Sequence, residues 1–205
     1  MQSISHSASL LAAALLATTT EASFRMGSCP QFKTEPDFDL SRYTGLWYEV
    51  VKDKLNFYEL LGGCTMAEYS SNDDGSVAVH NIGHKFWKGW FDIYGTAVED
   101  DTEDPAALRV DFFKEPVASD PANYYVIATD YDNYTVVYNC EEKLGGMVAY
   151  ETFGILARDY KIDDETLLGV IEKVEDRIPG YEYFKKTKMT RQGLTCPYKK
   201  APFTL

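Results

Sequence analysis

Basic residues and histidine are scarce in this sequence. Twenty Lys and Arg stand against 32 Asp and Glu, with 3 His and a formal charge of −12. A chain this acidic lacks the basic surface that nucleic-acid phosphates require, and its net charge opposes adsorption to an anionic membrane. Long apolar runs are also missing. Residues 10–17 form a short one, well below the roughly 20 residues of a membrane-spanning helix, so no transmembrane segment is expected. The 4 cysteines show no Cys-x-x-Cys or Cys-x-x-His spacing, which leaves no pattern for a zinc site. No internal repeat, low-complexity tract or linker divides the chain. Ser, His and acidic residues form no recognisable nucleophile–base arrangement, so no catalytic residue is assigned and the chain reads as a non-enzyme.

What is present fits one globular domain. Of 205 residues, 45% are hydrophobic and 25% charged, which is enough apolar material for a sizeable core. Aromatic content is high, with 15 Tyr and 11 Phe; these residues favour strands and line ligand cavities. The run Leu10-Leu11-Ala12-Ala13-Ala14-Leu15-Leu16-Ala17, followed by small polar residues, fits the apolar segment of a secretory signal peptide cleaved after Ala22. Residues 1–22 are therefore read as signal peptide and 23–205 as a single secreted, extracellular domain. In that compartment Cys29, Cys64, Cys140 and Cys196 read as two disulfides, with three pairings open.

Alternating apolar and polar residues mark strands at about 47–52, 64–70, 77–84, 90–98, 108–113, 124–129, 134–141 and 147–157. Turn signals such as Asn72-Asp73-Asp74-Gly75 and Asp130-Tyr131-Asp132-Asn133 separate them. Between the first two strands, Leu55, Phe57, Tyr58, Leu60 and Leu61 put apolar surface on a loop, which points to a cover or a docking patch, including for a homodimer. After 157 the period changes. Asp163, Asp164 and Glu165 begin a helix, Leu167, Ile171, Val174 and Ile178 form its apolar face, and Pro179-Gly180 stops it. Eight consecutive antiparallel strands and one amphipathic helix predict an all-β, eight-stranded up-and-down barrel with the helix packed outside. A two-sheet sandwich fits the same strand count.

Three motifs carry a family resemblance: Gly45-Leu46-Trp47-Tyr48 opening the first strand, Thr129-Asp130-Tyr131-Asp132-Asn133-Tyr134 between the sixth and seventh, and Arg158 ending the eighth. In this order the chain resembles the lipocalins, over about residues 29–198. With Phe38-Asp39-Leu40-Ser41-Arg42-Tyr43 and Val137-Tyr138-Asn139-Cys140, it is most similar to the apolipoprotein D and insect bilin-binding branch. The resemblance implies the pairings Cys29–Cys140 and Cys64–Cys196. It also implies that Trp47 fills the closed base of the barrel and that Arg158 lies across its indole, both structural roles.

A cavity above that base is implied as well. By strand parity its lining comprises Phe91, Ile93, Leu108, Val110, Phe112, Tyr124, Val126, Val137, Thr152, Gly154 and Leu156, and the resemblance adds Tyr69 and Asn81. His80 and His84 share a parity opposite to that of Asn81, so the three cannot all line it. The implied function is secretion and transport of one small hydrophobic ligand: a bilin such as biliverdin, a carotenoid, a steroid, a retinoid or a fatty acid. No cofactor is required; a bound bilin or carotenoid is the pigment expectation. The competing readings are a lipocalin-fold isomerase or de-epoxidase and a secreted interaction protein. Asn133-Tyr134-Thr135 is a sequon for N-glycosylation.

Overall fold

The computed structural model of the chain describes residues 24–54, 62–100 and 102–202. The signal-peptide reading and the apolar loop at 55–61 lie outside the described residues.

Eight strands run antiparallel in sequence order: β2 (Gly45–Asp53), β3 (Gly62–Ser71), β4 (Val77–Lys85), β5 (Gly89–Glu99), β6 (Ala107–Asp111), β7 (Tyr124–Thr129), β8 (Tyr134–Lys143) and β9 (Val148–Ala157). β9 also pairs with β2, from Tyr48↔Ala157 to Lys52↔Gly154, and this pairing closes the barrel. The sandwich alternative is thereby excluded. Two short strands that the sequence pattern does not announce or barely announces flank the barrel: β1 (Phe24–Met26) pairs with β9, and β10 (Thr187–Met189) with β2.

Because the strands alternate in direction, the turns at 72–76, 102–106 and 130–133 gather at one end. The loops at 86–88, 112–123 and 144–147 gather at the other, beside the end of β2. A short helix, α1 (Leu40–Tyr43), capped by the Asp39 carboxylate accepting from Ser41 N, precedes β2 at the first end.

The core has two parts. Inside the lower barrel, Trp47, Tyr43, Phe38, Ala67, Val126 and Leu156 form one cluster. Outside, α2 (Asp164–Arg177) presents Val170, Ile171 and Val174, followed by Ile178, to Val51, Ile127, Val136 and Ile155 on the outer wall. Its start is fixed as the sequence predicts: the Asp163 side chain accepts from Thr166 N, and Asp164 and Glu165 face the positive end of the helix dipole.

One stretch of wall is built from two parts of the chain. β2 pairs with β3 only from Gly45↔Tyr69 to Tyr48↔Met66. Above that the strands part and the C-terminal segment fills the gap. β10 pairs with β2, Thr190 N donates to Val50 O, and Cys64 N donates to Arg191 O. Gln192 Nε2 then bridges Glu49 O at 2.9 Å and Thr65 O at 2.7 Å. The Cys64–Cys196 disulfide pins this segment, and Cys29–Cys140 ties the N-terminal segment to β8.

Candidate functional site

The floor comes first, because it decides where the cavity ends. Gly45 has φ +93°, a conformation that disfavours any side chain, and a Cβ there would lie 3.3 Å from an Arg158 guanidinium nitrogen. The sharp entry into β2 turns Trp47 inward, where it is wholly buried and donates from Nε1 to Tyr43 O at 2.8 Å. Arg158 lies over the indole with its Cζ 3.6 Å from the ring centroid. Its guanidinium donates to Tyr131 O, Leu46 O and Arg42 O. The plate so formed seals α1, β2 and the 130–133 turn together, and the cation–π part alone contributes about 0.5–2 kcal/mol.

Above the plate is a cavity of about 340 Å³, within the range of small-molecule sites. Of the residues that the sequence placed there, Tyr69, Asn81, Leu108, Val110 and Phe112 line it, as do Tyr124, Val137, Thr152 and Gly154. Four sit elsewhere. Val126 and Leu156 have the inward parity but lie lower, packed in the Trp47 cluster. Phe91 and Ile93 lie higher on the inner face. The Phe91 ring rests directly on Gly83, where a Cβ would come within 2.4 Å of it, and Ile93 is 36% exposed near the mouth. Parity thus told the face correctly, but it carries no information about height along the axis.

Other lining residues were missed. Val77 and Val79 share the parity of Asn81, Ala97 that of Ile93, and Glu49 that of Trp47, so extending the alternation along each strand would have found them. Leu40 and Tyr43 come from α1, where no strand parity applies. Asn123 precedes β7, and its side-chain amide bonds both Val110 N and Val110 O, lengthening the β6–β7 ladder by imitation of a backbone. His80 and His84 point outward. His80 is buried against Glu68 and Asp92 and stacks on Tyr94 at 4.1 Å.

The polar part of the lining combines hydroxyls and amides with two carboxylates, Glu49 and Asp53. Thr135 Oγ1 donates to Tyr43 Oη at 3.3 Å. Tyr43 and Tyr124 hydroxyls are 2.8 Å apart, and Tyr124 and Tyr69 hydroxyls 3.3 Å. Either hydroxyl of each tyrosine pair can donate, and the chain that starts at Thr135 ends at the Tyr69 hydroxyl on the cavity wall. Burial pushes the Tyr69 phenol up to about 12 and raises Tyr43 and Tyr124 further, so all three remain protonated donors at physiological pH. Asn81 Oδ1 is buried and accepts no hydrogen bond among the described residues. Among the described lining residues there is no Lys, Arg or His. The Glu49 carboxylate is met from the wall, by Thr190 Oγ1 at 3.2 Å and Lys52 Nζ at 3.7 Å.

The model of the lipocalin-like domain matches residues 38–191. This chain belongs to the lipocalin family. Among lipocalins it is 35% identical to rat apolipoprotein D over 128 residues, a stretch covering 62% of this chain and 65%, just under two thirds, of that one. It is 31% identical to the Lazarillo protein of the grasshopper Schistocerca americana over 190 residues, 89% of this chain and 83% of the relative. Insecticyanin from the tobacco hornworm Manduca sexta has the same fold, with a TM-score of 0.70 at 24% identity over 85% of this chain and 91% of that one. The disulfide pairings, the tryptophan plate and the outer helix of this lipocalin agree with what the motifs implied.

Proposed function

We propose that this lipocalin is secreted and carries one neutral, elongated hydrophobic molecule bearing a hydroxyl or keto group, with no catalytic step. Retinoids, sterols and oxygenated carotenoids are of this kind. The observation that carries the reading is the cavity's polar complement: a tyrosine hydroxyl chain that ends at Tyr69 and an unpartnered acceptor at Asn81, set in a largely apolar wall. An unpartnered buried acceptor costs about 1–3 kcal/mol, which a ligand hydroxyl recovers. A dicarboxylate such as biliverdin finds no cationic partner among the described lining residues. Two disulfides support an oxidising compartment.

The test is fluorescence titration with all-trans-retinol, cholesterol and biliverdin against wild type and Thr152→Phe, which fills the middle of the cavity. Retinol or cholesterol binding that weakens at least tenfold in the variant is expected. Biliverdin binding with neither neutral ligand, or retinol binding indifferent to Thr152→Phe, would sink the reading.

A further inference from the structure

The loops at the open end pair exposed apolar side chains with lysine. Lys85-Phe86-Trp87-Lys88 joins β4 to β5, with Phe86 89% and Trp87 63% exposed. Phe113-Lys114, with Phe113 92% exposed, leads out of β6, and Lys143-Leu144, with Leu144 72% exposed, joins β8 to β9. These hairpins succeed one another around the mouth. Singly exposed hydrophobic residues are ordinary, whereas a ring of them at one end of a monomer marks a contact surface.

The charge distribution names the partner. The turns of the far end are acidic, with Asp73 and Asp74, Glu99, Asp100, Glu103 and Asp104, and Asp130 and Asp132. At the mouth, Lys114 and Lys143 pair with Asp120 and Glu141, and exposed Glu115 and Glu142 share those two loops. Lys85, 5.1 Å above the Phe91 ring, and Lys88 have no carboxylate within ion-pair distance among the described residues. The 85–88 hairpin is thus a local basic and aromatic patch, which the net charge of −12 does not describe. Tryptophan with flanking lysine suits the headgroup region of a bilayer, where the indole sits at the interface and each Lys gains about 1 kcal/mol from anionic lipid. A second copy docked mouth to mouth would set these lysines against their own equivalents, which is repulsive.

We propose that the open end of the barrel docks on an anionic phospholipid surface through Phe86 and Trp87, with Lys85 and Lys88 at the headgroups. This deepens the carrier reading, since the mouth of the cavity then faces the lipid from which a hydrophobic cargo is taken. The vesicle assay uses no cargo, and retinol titration uses no vesicle, so either can fail alone.

The full chain, expressed in a eukaryotic secretory host, is sedimented with vesicles of phosphatidylcholine alone and of phosphatidylcholine with one-fifth phosphatidylserine. The expected result is partition onto the serine-containing vesicles with a blue shift of tryptophan emission, weakened about thirtyfold in Lys85→Ala/Lys88→Ala and lost in Phe86→Ser/Trp87→Ser. Both variants should keep the wild-type far-ultraviolet dichroism and urea midpoint. No partition, equal partition onto both vesicles, or equal partition of all three proteins overturns the proposal. So does a vesicle-free dimer that dissociates in Phe86→Ser/Trp87→Ser, which would give this face to a second copy.

Discussion

Asp53, which also lines the cavity, offers the sharpest test of how the upper barrel is held. It ends β2, is only 3% exposed, and accepts from Phe153 N at 2.6 Å and from the Tyr181 hydroxyl at 3.1 Å. Nearby, Glu151 is wholly buried between Lys186, Arg25 at 3.6 Å and the Tyr138 hydroxyl at 2.8 Å. Burial raises the Asp53 carboxyl from 3.8 to about 7, against the opposing pull of the hydrogen bonds from Phe153 and Tyr181. The native state therefore binds a proton that the unfolded chain releases near pH 4. Stability from this group is complete below about pH 4 and is lost as pH rises through about 7. A shift of about three units corresponds to roughly 4 kcal/mol at pH 8 as a ceiling. Asp53→Asn removes the ionisation while its amide can still accept from Phe153 N and donate to the Tyr181 oxygen. Urea unfolding of oxidised protein at pH 5, 6.5 and 8 should show the variant more stable than wild type at pH 8 by up to about 4 kcal/mol, shrinking to about 2 kcal/mol at pH 5. A variant less stable than wild type at pH 8 would refute the reasoning, because the carboxylate's hydrogen bonds would then outweigh its desolvation.

Arg158→Ala should cost about 2–4 kcal/mol in chemical denaturation, since it uncovers Trp47 and leaves three carbonyls without their donor; Arg158→Lys, lacking the planar fork, should recover less than half. Tyr69→Phe should weaken a hydroxylated ligand about fivefold, the worth of one hydrogen bond, and leave the binding of its parent hydrocarbon unchanged in the same titration. Replacing Cys64 and Cys196 by Ser should lower stability by about 2–5 kcal/mol and make the segment around Arg191 the earliest site of limited proteolysis. Asn133 is exposed, but its Nδ2 donates to Asp130 at 2.8 Å and Thr135 is wholly buried. A glycan must therefore be attached before the hairpin closes, and intact mass before and after glycosidase treatment should show only a minor glycosylated fraction.

The alternation along β4 to β9 and the helical period after Asp163 were legible because one face of each element is buried and the other wet. The floor was legible through Gly45, Trp47 and Arg158, three residues with conformational or chemical demands that few others meet. The cavity was legible by face but not by depth, so Val126 and Leu156 were placed with residues that stand above them. The contributions of Tyr43 and Leu40 were hidden because α1 has no strand period. The β2–β3 gap was hidden for a different reason: the register of β3 shifts between Gly63 and Met66, and no local pattern reports that a strand has lost its neighbour.

That gap bears on synthesis. A stave of the barrel is supplied by residues 187–192 and secured through Cys196, while the rest of the wall is complete by residue 157. A chain still being made can pair its hairpins in turn, since these contacts are local. It cannot cover the upper edge of β2 until about forty further residues have emerged. Until then the edge is open to strands of other chains, so the interval between translating Ala157 and translating Cys196 is when a nascent chain is most exposed to mispairing, and when a chaperone has most to protect.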